Sequence, residues 1–141
     1  MLRFAYLLAG RNAEDLVQEA FLIAFAKWDR TLAVETFWPW VQTTLIRLNS
    51  GLLRRAGREL RALRRLGGAR EETAQPEPRL EVMSAMDRLS PRQRAAVVLR
   101  YFEDLTEAQV ADRLGVRLGT AKALLHQARR RLQIELTKEN E

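Results

Sequence analysis

The chain has 141 residues with 24 Lys and Arg against 18 Asp and Glu, a net charge of +6, and an isoelectric point near 10.7, enough for one ordinary domain or two small ones that are each marginal alone. With no cysteine and His126 as the one histidine, disulfides, thiolate metal sites and an imidazole cluster are excluded, and no cofactor is expected. No apolar run of about 18 residues is present and Met1 to Leu8 lacks the length and cleavage site of a secretory signal, so a cytoplasmic protein without membrane insertion is expected.

The charge falls in blocks. Thr43 to Leu66 holds seven arginines against one glutamate, and Gly115 to Leu132 holds five Lys and Arg against no acid. Between them lie Glu71, Glu72, Glu77 and Glu81. Two basic blocks with an acidic joint are arranged for two separate contacts along one nucleic acid.

In chain order, nearly every long segment has helical periodicity and none alternates like a strand. Asn12 is placed to cap a helix from Ala13, whose Val17, Ala20, Phe21, Ala24 and Trp28 recur at spacings of three or four and are expected inward. Asp15, Gln18 and Glu19 then face outward. A second helix is predicted from about Glu35 to Leu66, with Pro39 early enough to remove only an amide that a first turn leaves unpaired, and with Gly51 and Gly57 weakening it. The stretch GGAREETAQPEP reads as a linker, and it divides the chain into domains 1–66 and 79–141 joined by 67–78.

Leu80 to Leu89 is predicted as a short helix. Ser90, Pro91 and Gln93 form a helix-start signal for a helix that carries Ala95, Val97, Val98, Leu99, Tyr101 and Phe102 and ends at Glu103 and Asp104. Thr106 with Gln109 is a second capping box, opening a helix over Glu107 to Leu114 that Gly115 terminates. The last helix begins near Arg117 to Gly119, with Ala121, Leu125, Ala128 and Leu132 as its core stripe. Two helices around a tight glycine turn, the second long and basic, define a helix-turn-helix. Its outward residues, Thr120, Lys122, Ala123, His126 and Gln127 with Arg129, Arg130 and Arg131, suit a major groove, whose floor is read by helix side chains while cations hold phosphates. Cations late in a helix also complement its dipole, and that simpler role stays open for them.

These segments carry a resemblance. SPRQRAAVVLRYFEDLTEAQVADRLGVRLGTAKALLHQARRRL, Ser90 to Leu132, resembles region four of the extracytoplasmic-function (ECF) sigma factors, in particular the actinobacterial SigE-like group. NAEDLVQEAFLIAFAKWDR, Asn12 to Arg30, resembles their region two. The resemblance implies an all-α architecture of two small helical domains and a non-enzymatic subunit that binds core RNA polymerase, at its β′ clamp helices and β flap, and promoter DNA. An anti-sigma factor is a further possible partner. It also implies polymerase contact by Asp15, Gln18 and Glu19, supported by Leu16 and Phe21. DNA contact is implied at Trp40, Arg47, Arg54, Arg55 and Arg58, and at Arg117, Thr120, Lys122, Ala123, His126, Gln127, Arg129 and Arg130.

Bottom-up chemistry gives a matching rationale for the first basic block. Melting a duplex needs aromatic surface for unstacked bases and cations for the separated strand, and Phe37, Trp38 and Trp40 stand beside an arginine ladder, although a small domain also needs such aromatics for its core. The pattern departs from the family where its asparagine falls at Arg47 and its aspartate at Gly51, and where Leu124 and Gln127 replace arginines; the chain also begins within region two. Two alternatives stay open: a degenerate sigma-like protein that docks without initiating, and a plain helix-turn-helix regulator, in which the acidic patch at Asp15 to Glu19 has no role. No nucleophile elbow, phosphate-binding glycine loop or metal-ligand cluster marks an enzyme.

Overall fold

The computed structural model describes residues 1–27, 34–67 and 81–139. Most of the linker expected over 67–78, its acidic residues and Trp28 lie outside them. Among the described residues there are only helices, turns and irregular connections: α1 (Leu2–Ala9), a 3₁₀ turn (Gly10–Asn12), α2 (Ala13–Lys27), α3 (Val34–Arg65), α4 (Glu81–Met86), α5 (Pro91–Val97), a π-helical turn (Val98–Phe102), α6 (Glu107–Leu114) and α7 (Leu118–Glu139).

The helix α1 had no counterpart in the sequence reading. Phe4, Ala5 and Leu8 line one face of it and are buried against α2 and α3. Gly10 reverses the chain with φ 58, a left-handed conformation in which a side chain is strained, so α2 folds straight back along α1.

In α2 the inward stripe differs from the expected one. Ala13, Leu16, Ala20 and Ala24 are buried, whereas Phe21 is 55% exposed and Val17 only half-buried. Alanines let α1 and α3 approach α2 closely, and a phenylalanine on that side would hold them apart; spacing alone did not distinguish the two rotations of the helix. Pro39 is also not in the free first turn. It is the sixth residue of α3, so its missing amide removes an ordinary intrahelical bond to the carbonyl of the exposed Glu35, while Pro39 itself is half-buried.

The second half follows its local signals closely. Ser90 accepts from the Gln93 amide at 3.2 Å while Gln93 accepts from the Ser90 amide at 3.1 Å. Thr106 and Gln109 make the same reciprocal pair at 3.2 and 2.9 Å. Gly115 has φ 66 and closes α6 in the left-handed conformation that its position anticipated. Replacing Thr106 by Ala removes one side of the box and is expected to lower stability by about 1 kcal/mol, read as a lower denaturant midpoint with unchanged slope.

Beyond Val97 the helix does not stop but widens, and the Glu103 amide donates to the Val98 carbonyl at 3.1 Å. This extra residue per turn rotates Tyr101 and Phe102 outward, leaves Val98 and Leu99 buried, and brings Glu103 round toward α3. Asp104 follows at φ 53, a conformation that short polar side chains tolerate better than bulky ones.

Candidate functional surfaces

The helix-turn-helix is built from α6 and α7 on α5. Ala121, Leu125 and Ala128 are fully buried and Leu132 half-buried, which fixes the rotation of α7. That rotation leaves Thr120, Lys122, Ala123, His126, Gln127, Arg129 and Arg130 on the exposed side, with Arg117 exposed just ahead of the helix. Two of these are held from behind: Gln127 accepts from the Gln93 side chain at 3.4 Å, and Arg129 donates to the Tyr101 hydroxyl at 3.0 Å. The structure therefore leaves every residue of the second predicted DNA surface exposed, all on α7 except Arg117, which immediately precedes it.

The first predicted DNA surface is less uniform. Arg47, Arg54, Arg55 and Arg58 are exposed along α3. Trp40 is half-buried and stacks on Phe37 with centroids 6.5 Å apart and planes 24° from parallel, so one face of its ring is already covered. Trp38 packs edge-on against Phe4 at 5.7 Å and its indole donates to Glu103 at 3.1 Å. That tryptophan belongs to the packing of the molecule.

On α2, Asp15, Gln18 and Glu19 are exposed on adjacent turns. Leu16, expected to support a contact there, is 2% exposed and can act only by anchoring α2. Beside the carboxylates stand exposed Phe21 and Leu22 and, one turn on, Phe25 at 86% exposure, and a cleft of about 300 Å³ opens between Phe21, Ala24, Phe25 and Phe37. The sequence reading missed Leu22 and Phe25. The signal was there in the small Ala13, Ala20 and Ala24, which mark the packed side and so send the larger residues outward.

The two halves meet along a polar seam. Glu103 accepts from both Trp38 and the Gln42 side-chain nitrogen at 3.1 Å, while Gln42 accepts from Arg113 at 2.9 Å. Arg94, 9% exposed, donates to the Leu7 carbonyl and to Asp87, both at 2.7 Å, and its remaining terminal nitrogen is buried without an acceptor. Leaving such a donor unsatisfied costs about 1–3 kcal/mol, while buried apolar residues of both halves, among them Phe4, Leu8, Leu89 and Val98, share one hydrophobic core.

An all-helical protein with an outward basic recognition helix, a second arginine ladder and a separate acidic ridge edged by aromatics has the surfaces of a DNA-binding transcription factor that also grips a protein. Comparison with known proteins narrows the class. The family "Sigma-70 region 2" matches residues 1–59 and "Sigma-70, region 4" matches residues 79–132. The chain is 32% identical over 127 residues to the RNA polymerase sigma-E factor of Streptomyces antibioticus, covering 89% of this chain and 71% of that one. It is 32% identical to the ECF RNA polymerase sigma factor SigE of Mycolicibacterium smegmatis, covering 96% of this chain and 57% of that one. A solved structure, the sigma factor RpoE from Bartonella quintana in complex with the anti-sigma factor NepR, superposes with a TM-score of 0.76 at 28% identity, covering 96% of this chain and 89% of that chain. The chain belongs to the sigma-70 family of RNA polymerase sigma factors, in its ECF group. No described helix is long and apolar enough to cross a membrane.

Proposed function

We propose that the protein directs transcription initiation by binding core RNA polymerase and two promoter elements, in the cytoplasm and with no catalytic step of its own. The observation that carries this reading is the segregation of surfaces. An exposed Asp15, Gln18 and Glu19 ridge bears the wrong charge for DNA, while the DNA candidates of α3 and α7 lie on other helices. The ridge with Phe21, Leu22 and Phe25 offers a charged rim around an apolar centre, the composition of a protein-protein contact. On α7, His126 and Gln127 face the base edges, and Lys122, Arg129 and Arg130 hold the phosphates on either side. On α3, Arg47, Arg54, Arg55 and Arg58 hold the backbone of the other element, and Trp40 offers it one open edge.

A protein with this seam closed does not reach both elements at once. A compact chain of this length has a radius of gyration of about 15 Å. Elements centred near minus ten and minus thirty-five are separated by about 25 base pairs, or roughly 85 Å at 3.4 Å per step. Initiation therefore requires the seam to part, and Glu103 accepts two of its hydrogen bonds, from Trp38 and Gln42. Replacing Glu103 by Ala is expected to raise the radius of gyration in small-angle scattering by several Å with helical content unchanged; an unaltered radius would show that the seam holds without it.

Promoter-specific run-off transcription with added core polymerase tests the function itself. A discrete transcript supports initiation. Core binding without a transcript supports the second reading, a sigma-like protein that docks without opening DNA, which Arg47 and Gly51 favour where the family carries asparagine and aspartate. Duplex binding with indifference to polymerase would leave only a helix-turn-helix regulator.

A further inference from the structure

Gln127 lies exposed on α7, one turn beyond the exposed Ala123, and its side chain ends in a carboxamide. Such a group carries an acceptor and a donor at one tip, so which end leads decides what it can read. A freely turning glutamine suits adenine, whose edge presents the N7 acceptor beside the N6 donor and takes both ends at once. Gln127 is not free to turn.

The constraint begins at the start of α5. Ser90 donates its amide to the Gln93 side-chain oxygen at 3.1 Å, while the Gln93 amide donates to the Ser90 hydroxyl oxygen at 3.2 Å, so the half-buried Gln93 is tied at both backbone and side chain. Turning its carboxamide over would set the NH2 against the Ser90 N–H, donor against donor, and lose the cap. The Gln93 Nε2 therefore faces away from Ser90, and it meets the Gln127 Oε1 at 3.4 Å. Because Nε2 can only donate, the atom opposite it has to be the Gln127 oxygen. The Gln127 NH2 is left at the outward end, where it has no acceptor among the described residues. The helix-start signal of α5 thus sets the polarity of a side chain on α7.

We propose that Gln93 is a positioning residue for promoter recognition, which fixes Gln127 as a donor and directs it to guanine. In the major groove guanine presents two acceptors, O6 and N7, and no donor, so it satisfies the outward NH2 and asks nothing of the oxygen. Adenine has to share that oxygen with Gln93, and cytosine brings only its N4 donor. Thymine, with the single acceptor O4, ranks between them and guanine. Ala123, one turn before, carries no polar group to compete for the base. The inference rests on the reading of α7 as a promoter-binding helix and deepens it by naming the base that Gln127 selects.

The test is selection from a pool of randomised duplexes by the full chain, followed by sequencing of the bound fraction. The base pair at which Gln127→Ala loses its preference is the one that Gln127 reads. There the parent is expected to favour guanine over adenine by about tenfold, the scale of one good base contact. Gln93→Glu keeps the capping box, because a glutamate at that position also accepts from the Ser90 amide, so helical content and unfolding midpoint should not change. Its second carboxylate oxygen is an acceptor where Gln93 had a donor, and Gln127 then turns its NH2 inward and its oxygen outward. The preference at that one base pair is expected to pass from guanine to adenine, a swing of at least tenfold in their ratio, while other positions keep theirs. The added negative charge weakens binding to every duplex alike and leaves the ratio untouched. A Gln93 that only caps α5 would give the glutamate variant the parent's ratio, and that result overturns the proposal. So does an adenine preference in the parent, or a Gln127→Ala variant that selects the same sequences as the parent. A parent chain that enriches no sequence fails at an earlier step, since it removes the DNA-binding reading of α7 and the inference with it.

Discussion

Reversing Asp15 to Arg together with Gln18→Ala is expected to weaken binding to core RNA polymerase by at least a hundredfold while leaving the fold intact. Both side chains are exposed on α2 and neither makes a described contact that packing relies on, so helical content and unfolding midpoint should stay within the small range of surface substitutions, about 0.5 kcal/mol. The binding loss is larger because two effects add. A carboxylate that matches a cationic partner becomes a like charge facing it, and juxtaposed like charges at an interface cost several kcal/mol. Removing the Gln18 amide then leaves any partner group it served without a hydrogen bond, for a further 1–3 kcal/mol or so. Co-purification with core polymerase, or its affinity by biolayer interferometry, measures the outcome. Retention of full affinity in the folded double variant would remove the ridge from the docking surface.

Replacing Lys122 and Arg129 by Ala is the second large effect. Both are exposed on α7 and are assigned to the DNA backbone or groove edge, so each variant should release one fewer counterion on binding. The slope of log affinity against log salt is then expected to flatten by about 0.9 for each, roughly 1.8 for the pair, with a loss of about tenfold or more at moderate salt. The two positions differ in one respect. Arg129 also donates to Tyr101, so removing it frees that ring on the surface of the π-helical turn, whereas Lys122 makes no described contact that stability depends on. Fluorescence anisotropy with a labelled promoter duplex at several salt concentrations separates a lost contact, which changes the slope, from a lost fold, which abolishes binding at every salt.

The parts of this structure that were legible in advance are those decided within a few residues. Ser90 with Gln93 and Thr106 with Gln109 announce helix starts because their side chains satisfy their own neighbours' amides. Gly115 announces an end because the left-handed turn it makes suits glycine best. The rotation of α7 was legible because Ala121, Leu125, Ala128 and Leu132 recur at spacings of three and four over about three turns, with mostly polar and charged residues between them. In α2 the same reasoning failed, since the helix is apolar on more than one side and only the close approach of α1 and α3 decides that Leu16 goes in and Phe21 out. The π-helical turn and the seam were not legible. Glu103 and Trp38 are 65 residues apart in sequence, and no local pattern marks either as the other's partner. The arginines of α3 stood out as a basic block, and the resemblance to the family proposed them as DNA contacts.

The account rests on one chain dividing its charges between a protein and a nucleic acid, and the affinity of the unmodified, folded protein for core RNA polymerase tests this most directly. Binding in the nanomolar range, competed by an isolated β′ clamp-helix fragment, is the predicted result. A folded protein, verified by its helical circular dichroism and cooperative unfolding, that shows no measurable association with core polymerase would contradict it.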